Sequence, residues 1–398
     1  MASQCCDFLT NRQGMLTRSL TLTDLTLFGI ASIMGSGGFN IIGIGVREGG
    51  NLWPIALLVS GALMLCSSFT YAEAFDRFHT ATSESDSIQE SFGPIAESIG
   101  SCTIIFYNLA SIIVILTICA QMILPNGSWA AQVSFTVSIL AVMAALSLYG
   151  IDINKIIITT LTWFLIGIVA IASAFGIWGG MTTQIPDLGS SGSFMQSFWK
   201  FFFVLVGFDA IMKFAGEAEH DENISTAFYL SNSIAILLVA AVAFAITVWV
   251  PTNKQNMDVL SHLFAIFAGA WVIYPFRWFI LVFLLTTTFV IFLATTRYIY
   301  GIGDTRGDSY KWLRATNEQN APWAAIATVF GSGSILAMLN NVDKLVIITD
   351  FGFAGIASLV AASVAVAEWK DEKLGSAALS GATALSFCGL TIAAFLSI

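Results

Sequence analysis

Charged residues are scarce in this sequence, and basic residues are scarcer than acidic ones. Only 10% of the 398 residues are charged, against about 25% in an average soluble domain. The 16 Lys and Arg residues are outnumbered by 25 Asp and Glu residues, which leaves a formal net charge of −9. Nucleic-acid-binding proteins need a basic surface that faces the phosphate backbone, so this deficit excludes a nucleic-acid partner.

Paired cysteines and catalytic signatures are lacking as well. Of the six cysteines, four lie inside apolar runs and two in the polar N-terminal tail, which is not the pattern of a disulfide framework. The phosphate-binding pattern G-x-x-x-x-G-K-[ST] and the zinc-binding pattern H-E-x-x-H are both absent. The sequence therefore predicts no enzyme, no metal centre and no cofactor, apart from a coupling ion such as Na⁺ or H⁺.

Apolar residues are abundant instead. Hydrophobic residues make up 57% of the chain, and the mean hydropathy is +0.82. A soluble protein of this size could not bury so much apolar surface, so we expect an all-α polytopic protein within the lipid bilayer. About 17–25 apolar residues are needed to span a bilayer, and eleven segments meet that length: 24–45, 52–75, 102–124, 129–149, 154–178, 198–217, 225–250, 271–297, 322–339, 344–368 and 375–397.

The basic residues in the loops predict the orientation. With a cytoplasmic N-terminus, eleven of them fall on the cytoplasmic side, Lys213 and Arg297 included, and four fall outside. The positive-inside rule then favours a cytoplasmic N-terminus, and we expect the protein in the plasma membrane. The acidic loop over 76–101, which contains Glu84 and Asp86, is predicted to be a solvated connector with an amphipathic surface helix.

The first apolar segment is interrupted by small residues. Gly35, Ser36, Gly37 and Gly38 follow one another near its middle, and each glycine costs about 1 kcal/mol relative to alanine in a helix. A helix broken there would free backbone N–H groups, which suit an anionic group such as a carboxylate and are tolerated in lipid only beside a cavity. The alternative is close packing of helices through small residues.

The sixth segment has a matching interruption. Gly207 precedes Asp209, an acid at membrane depth that is either functional or a cap on unwound backbone. Interrupted segments in corresponding positions of two halves predict an inverted-repeat transporter with its site near the membrane midplane. The predicted organisation is a cytoplasmic tail over 1–23, five-helix repeats over 24–178 and 198–368, and an accessory helix over 375–397.

Polar residues in two other segments are candidates for the same site. Thr286, Thr287 and Thr288 could offer hydroxyl oxygens to Na⁺, although threonine in a membrane helix often hydrogen-bonds to the carbonyl four residues earlier. Asn108, which follows Tyr107, either reaches a substrate or hydrogen-bonds to a neighbouring helix.

Three stretches of the sequence resemble signatures of the amino acid–polyamine–organocation (APC) transporters. Gly29–Phe39 resembles the first-helix signature G-x-G-x-I-I-G-[ST]-G-I-F. Phe202–Ala227 resembles the sixth-helix signature of the cationic amino acid transporter and amino acid permease branch, with Gly207-Phe208-Asp209 and Glu217-Ala218 as matches. Thr296–Gly301 resembles the end of the family's eighth helix. The three stretches lie in register across almost the whole chain.

This resemblance implies the five-plus-five inverted-repeat (LeuT-like) fold, with about eleven transmembrane helices, and transport by alternating access. It implies that an amino acid binds through its carboxylate to backbone N–H groups of Gly35, Ser36 and Gly37. The amine would meet the carbonyl of Ile33 and that of Phe203 or Val206, with the Phe203 ring as a gate. An ion would bind the carbonyls of Ala31 and Met34 and the hydroxyls of Thr286 and Thr287. The helix-five lysine of proton-coupled members is replaced by Thr160, Leu161 or Thr162, which leaves Na⁺ coupling and uncoupled exchange open.

The sequence as a whole predicts a secondary active transporter, a symporter or an exchanger, whose substrate site includes Asn108, Gly207 and Asp209. A neutral pocket around Phe203 and Phe208 favours a neutral amino acid, whereas Asp209 leaves a cationic one open. The alternatives are a non-transporting amino acid sensor or accessory subunit with the same fold, and a transporter of polyamines or organic cations. No feature of the sequence indicates an oligomeric state.

Overall fold

The protein is almost entirely helical. The computed structural model describes residues 16–34, 38–182, 188, 192–249, 265, 269, 271 and 273–396, and within them it contains 13 α-helices and no β-strand. In chain order these are α1 (Leu22–Met34), α2 (Gly38–Gly49), α3 (Trp53–Phe78), α4 (Ser83–Phe92), α5 (Pro94–Ile123), α6 (Trp129–Ser147), α7 (Ile151–Thr182), α8 (Phe194–Leu205), α9 (Glu222–Trp249), α10 (Ile273–Thr305), α11 (Trp323–Ala337), α12 (Val342–Lys370) and α13 (Leu374–Leu396).

Each of the eleven predicted apolar segments contains a helix. Among the described residues, eight helices are long and apolar enough to cross a membrane. The first predicted segment comprises α1 and α2, the sixth comprises α8 followed by a 3₁₀ helix over Phe208–Glu217, and the ninth is α11 with 15 residues. The three segments that lack a long helix therefore include the two in which the sequence predicted an interruption.

Side-chain caps fix the starts of several helices. The hydroxyl of Ser128 accepts a hydrogen bond from the backbone N–H of Ala131 at the start of α6. Ser193 caps α8 in the same way, and the side chain of Asn341 caps α12. Such caps satisfy backbone N–H groups that have no partner within the helix, so they define where each helix begins.

The two interrupted segments lie at the centre of the molecule. α1 packs against α7, α9, α10 and the 3₁₀ helix, while α8 packs against α2 and α3. α13 packs mainly against α12, at the periphery. Large apolar side chains cover the outer faces, as Trp163 and Phe164 of α7 do with 57% and 62% of their surface exposed. An apolar exterior around buried short helices is what a bilayer requires of a protein that breaks helices internally.

The acidic segment between the second and third membrane helices is not a solvated connector, and that prediction is wrong. Its short helix α4 is packed against α3, α5 and α12, and Glu84 is fully buried. Lys213 lies 3.5 Å from Glu84. Arg306, just beyond α10, lies 3.5 Å from Asp86 and also contacts Glu97. These acids can be buried because cations from distant parts of the chain neutralise them. No local sequence pattern indicates those contacts.

Two residues of the predicted orientation count do not lie in loops. Lys213 and Arg297 are both fully buried. Arg297 binds Glu217 through two hydrogen bonds of 2.8 and 3.0 Å. Their placement on the cytoplasmic surface is therefore wrong, since a charge that is neutralised inside the protein does not face the membrane surface potential. The orientation itself stays a prediction, and so do the boundaries of the two repeats.

Candidate functional site

The chain breaks sharply between α8 and the 3₁₀ helix. α8 ends at Leu205, Val206 is extended, and Gly207 has a φ angle of +124°. A Cβ atom on Gly207 would lie 2.8 Å from the carbonyl oxygen of Ser32, so both the backbone angle and the space favour glycine. The interruption that the sequence predicted at Gly207 is present.

The last turn of α1 contacts this break directly. The hydroxyl of Ser32 donates to the carbonyl oxygen of Gly207 at 2.8 Å and also lies 2.9 Å from that of Gly29. α1 ends at Met34, and α2 begins at Gly38. The predicted carboxylate-binding residues Gly35, Ser36 and Gly37 lie outside the described residues.

A small cavity lies beside the contact between α1 and the break. Its volume is about 30 Å³, enough for about two water molecules. Five of the predicted substrate-binding residues line it: Asn108, Phe203, Val206, Gly207 and Asp209. The remaining lining residues are Ser32, Tyr107, Ser111, Ala210, Ile291 and Thr349. Ile33, predicted to receive the substrate amine, is buried in α1 and is not part of this lining.

One of the two predicted ion-binding threonines faces α1. The hydroxyl of Thr287 donates to the carbonyl oxygen of Ala31 at 2.6 Å. The hydroxyl of Thr286 instead donates to Val282 of its own helix at 2.8 Å. Met34 is buried in the last turn of α1. The structure therefore brings Thr287 and Ala31 together but not Thr286, and the ion position stays a prediction.

Asp209 binds two side chains at the inner end of the cavity. The hydroxyl of Tyr107 donates to its Oδ2 atom at 2.7 Å, and the ammonium of Lys213 contacts the same oxygen. Asp209 is 3% exposed and Lys213 is fully buried. Neither contact is to the backbone of the 3₁₀ helix. Asp209 therefore belongs to a cluster of side chains and does not act as a helix cap.

Sequence reasoning missed the two side chains that complete this cluster. Lys213 follows Asp209 by four residues, and that spacing could have signalled an ion pair on one helix face. Glu84 approaches Lys213 from α4, far away in the sequence, and no local pattern indicates the contact. Asn108, which the sequence predicted as a substrate-binding residue, lines the cavity, although its amide donates to Ile104 of its own helix at 2.8 Å.

The chain is similar in sequence to one protein family and in fold to a solved transporter structure. The family model described as "Amino acid permease" matches residues 20–398. Among solved structures, the fold is similar to that of Mhp1, a nucleobase-cation-symport-1 family transporter in a closed conformation with bromovinylhydantoin bound. The TM-score is 0.56 at 12% identity, over 97% of this chain and 95% of Mhp1. No curated protein sequence matches the chain.

These similarities confirm the predicted LeuT-like transporter fold. The family match and the eight long apolar helices among the described residues support a multi-pass membrane transporter. The match to the family model extends over nearly the whole chain, in agreement with the three signature stretches. The chain therefore belongs to the amino acid permease family.

Proposed function

We propose that this protein is a secondary active transporter that moves a neutral amino acid across the membrane by alternating access. The observation that carries the proposal is the cavity where the last turn of α1 meets the break after α8. Five independently predicted residues line that cavity, and they come from two separate helical segments.

The helix termini around the breaks suit the two charges of an amino acid. α8 ends at Leu205, next to Val206 and Phe203, and the end of a helix carries partial negative charge from its last carbonyls. An ammonium group is favoured there. α2 begins at Gly38, directly after the residues predicted to bind the carboxylate, and a helix start carries partial positive charge. Backbone dipoles thus recognise the part of the substrate that all amino acids share.

The charges beside the cavity favour a substrate with a neutral side chain. Among the described residues that line the cavity, Asp209 is the one that carries a charge, and it already binds Lys213 and Tyr107. A lysine or arginine side chain would have to displace a buried ammonium to reach that carboxylate. Because breaking a buried ion pair costs about 3–5 kcal/mol, we expect cationic amino acids and polyamines to bind poorly.

The small volume of the cavity supports a cycle that includes an occluded state. About 30 Å³ does not hold an amino acid, so the lining residues must move to admit one. Phe203 is half-buried at the end of α8 and lines the cavity. A ring in that position can cover a bound substrate in one state and move aside in another, which is the role we assign to it.

Counterflow in proteoliposomes tests the proposal. Vesicles loaded with unlabelled amino acid should take up the labelled form in a saturable manner, and neutral amino acids should compete better than arginine, lysine or spermidine. Phe203→Ala should reduce the initial rate at least tenfold. Phe164→Ala removes the same ring from a lipid-facing position that is 62% exposed, and it should leave the rate unchanged.

Binding without counterflow would contradict the transporter proposal. If a neutral amino acid raised the melting temperature of the purified protein but no amino acid of the panel moved, the protein would be a sensor or an accessory subunit. If spermidine or arginine competed best, the argument from the neutralised Asp209 would be wrong.

A further inference from the structure

Beside the cavity, three ionisable side chains form a buried cluster that the proposed transport cycle does not yet use. Glu84, Lys213 and Asp209 have exposed fractions of 0%, 0% and 3%. The ammonium of Lys213 contacts Asp209 and lies 3.5 Å from Oε1 of Glu84. The cluster therefore holds two carboxyl groups around one ammonium.

The charges of this cluster do not balance when all three groups are ionised. Two carboxylates and one ammonium leave one negative charge inside the protein. An uncompensated buried charge costs several kcal/mol, so such a cluster takes up a positive charge, and the smallest one available is a proton.

Hydrogen bonding indicates which carboxyl group takes the proton. Asp209 accepts a hydrogen bond from the hydroxyl of Tyr107 and another from Lys213, and both stabilise its ionised form. Both oxygens of Glu84 are buried, and among the described residues neither accepts a hydrogen bond, since the ammonium of Lys213 lies 3.5 Å from Oε1. Glu84 is therefore the group whose ionised form is least stabilised.

We propose that Glu84 is the proton-binding site of this transporter and that Asp209 and Lys213 couple its protonation to the occupancy of the substrate cavity. This inference rests on the proposed transport function. Asp209 faces the cavity on one side and Lys213 on the other, so the positive charge of a substrate ammonium held at the end of α8 weakens the attraction of Asp209 for Lys213 without displacing it. Lys213 is then free to neutralise an ionised Glu84.

The surroundings of Glu84 agree with protonation near neutral pH. Burial raises the pKa of Glu84 to about 7, with the charge of Asp209 acting in the same direction and that of Lys213 acting against it. Within the part of the chain that the structure describes, Arg306 pairs with Asp86 and Glu97 rather than with Glu84. The titratable groups close enough to interact with Glu84 are Tyr71, Tyr107 and Tyr298 on α3, α5 and α10, and Asp209 and Lys213 on the 3₁₀ helix. Of these, Asp209 and Lys213 are the groups whose charges act on Glu84.

Accumulation driven by a pH gradient tests the proposal in proteoliposomes. Because substrate binding favours release of the Glu84 proton, we expect one proton to be exchanged for each substrate, and a gradient of about one pH unit then shifts the steady-state accumulation ratio about tenfold towards the acidic side. Glu84→Gln keeps the shape of the side chain and cannot release a proton, so its accumulation ratio should stay near unity at every gradient. Glu90→Gln changes an acid on the same helix that is 40% exposed, and it should keep the tenfold response.

Two further measurements keep the proposal refutable if Glu84→Gln does not fold. The wild-type counterflow rate should change with a midpoint near pH 7, and Lys213→Met should move that midpoint upward, because the ammonium lowers the pKa of Glu84. A pH-independent wild type, a downward shift in Lys213→Met, or gradient-driven accumulation by Glu84→Gln would each overturn the proposal.

A stability measurement separates failure of this inference from failure of the transport function. An acid whose folded pKa lies above its unfolded value binds a proton in the folded state that the unfolded state has released. Relative to Glu84→Gln, the wild type should therefore lose melting temperature as the pH rises from about 4.5 to about 7, and remain level above it. If counterflow is absent but this difference is present, transport is wrong and the proton site stands. Parallel melting profiles of the two proteins would overturn the proton site.

Discussion

Replacing Gly207 with alanine is the most direct perturbation of the break after α8. The backbone at this position has a φ angle of +124°, which residues with a Cβ atom rarely adopt. The new Cβ would lie 2.8 Å from the carbonyl oxygen of Ser32 and 3.1 Å from its carbon, and neither is a flexible side-chain end that can move away. The backbone of α1 or of the break must shift instead.

The free-energy cost of Gly207→Ala has two parts, backbone strain and a lost hydrogen bond. A non-glycine residue held in a sparsely populated backbone region costs about 1–3 kcal/mol. Displacement of the carbonyl of Gly207 also removes the 2.8 Å hydrogen bond from Ser32, which contributes about 0.5–1.5 kcal/mol. Together these make about 1.5–4.5 kcal/mol, which corresponds to a loss of about 10- to 1,600-fold in the population of the arrangement in which α1 contacts the break.

The assay compares this variant with a glycine that has free space around it. Gly167 lies within α7, and a Cβ atom there would meet no atom within 4 Å. Gly167→Ala should therefore match the wild type or stabilise it by up to about 1 kcal/mol. Gly207→Ala should lower the counterflow rate at least tenfold and lower the melting temperature in detergent. Equal rates and melting temperatures for both variants would refute the argument that the break requires glycine.

Two other contacts, Arg297 with Glu217 and Thr287 with Ala31, each predict the effect of a substitution. Arg297→Met leaves the carboxylate of Glu217 buried without its partner, so the free energy of unfolding should fall by about 3–5 kcal/mol. In thermal denaturation, the double variant Arg297→Met with Glu217→Gln should recover part of that loss. If Arg297→Met alone were as stable as the double variant, the explanation from an unpaired buried charge would be wrong. Thr287→Val removes the contact with the carbonyl of Ala31, whereas Thr288→Val removes a hydrogen bond within α10. If Na⁺ binds at the predicted position, only Thr287→Val should abolish stimulation by Na⁺, and equal effects would exclude that position.

The interruption at Gly207 could be predicted because its cause is local. A glycine beside an acid within an apolar run is visible in a few residues, and the free energy of a membrane helix depends mainly on such short-range composition. The same reason explains why all eleven apolar segments proved to contain helices. The corresponding positions of the two interruptions connected the first and sixth segments, and the resemblance to known signatures then agreed with that connection.

The charge cluster could not be predicted because its members are far apart in the sequence. Glu84 lies in a segment rich in serine and acids, which is typical of a solvated loop, and only the fold brings Lys213 to it.

The threonines of α10 illustrate a second limit of prediction from the sequence. Successive residues on a helix point about 100° apart, so at most one of Thr286 and Thr287 can face α1. Composition identifies the threonine run, whereas the rotation of the helix decides which hydroxyl reaches Ala31.

The 3₁₀ helix over Phe208–Glu217 connects the three parts of the site. Its first residues border the cavity, Lys213 in its middle belongs to the charge cluster, and Glu217 at its end binds Arg297. The carbonyl of Glu217 also accepts hydrogen bonds of 2.9 Å from the backbone N–H groups of Ser19 and Leu20.

A 3₁₀ helix of ten residues is unusually long, since runs beyond three or four residues are uncommon and their hydrogen-bond geometry is poor. At about 2.0 Å per residue it spans about 20 Å, whereas an α-helix of the same length would span about 15 Å. A change of winding in this one element would therefore alter the cavity, the proposed proton site and the attachment of the N-terminal segment together. The proposed coupling between substrate and proton runs through this element, because its first residues line the cavity and its Lys213 contacts Glu84.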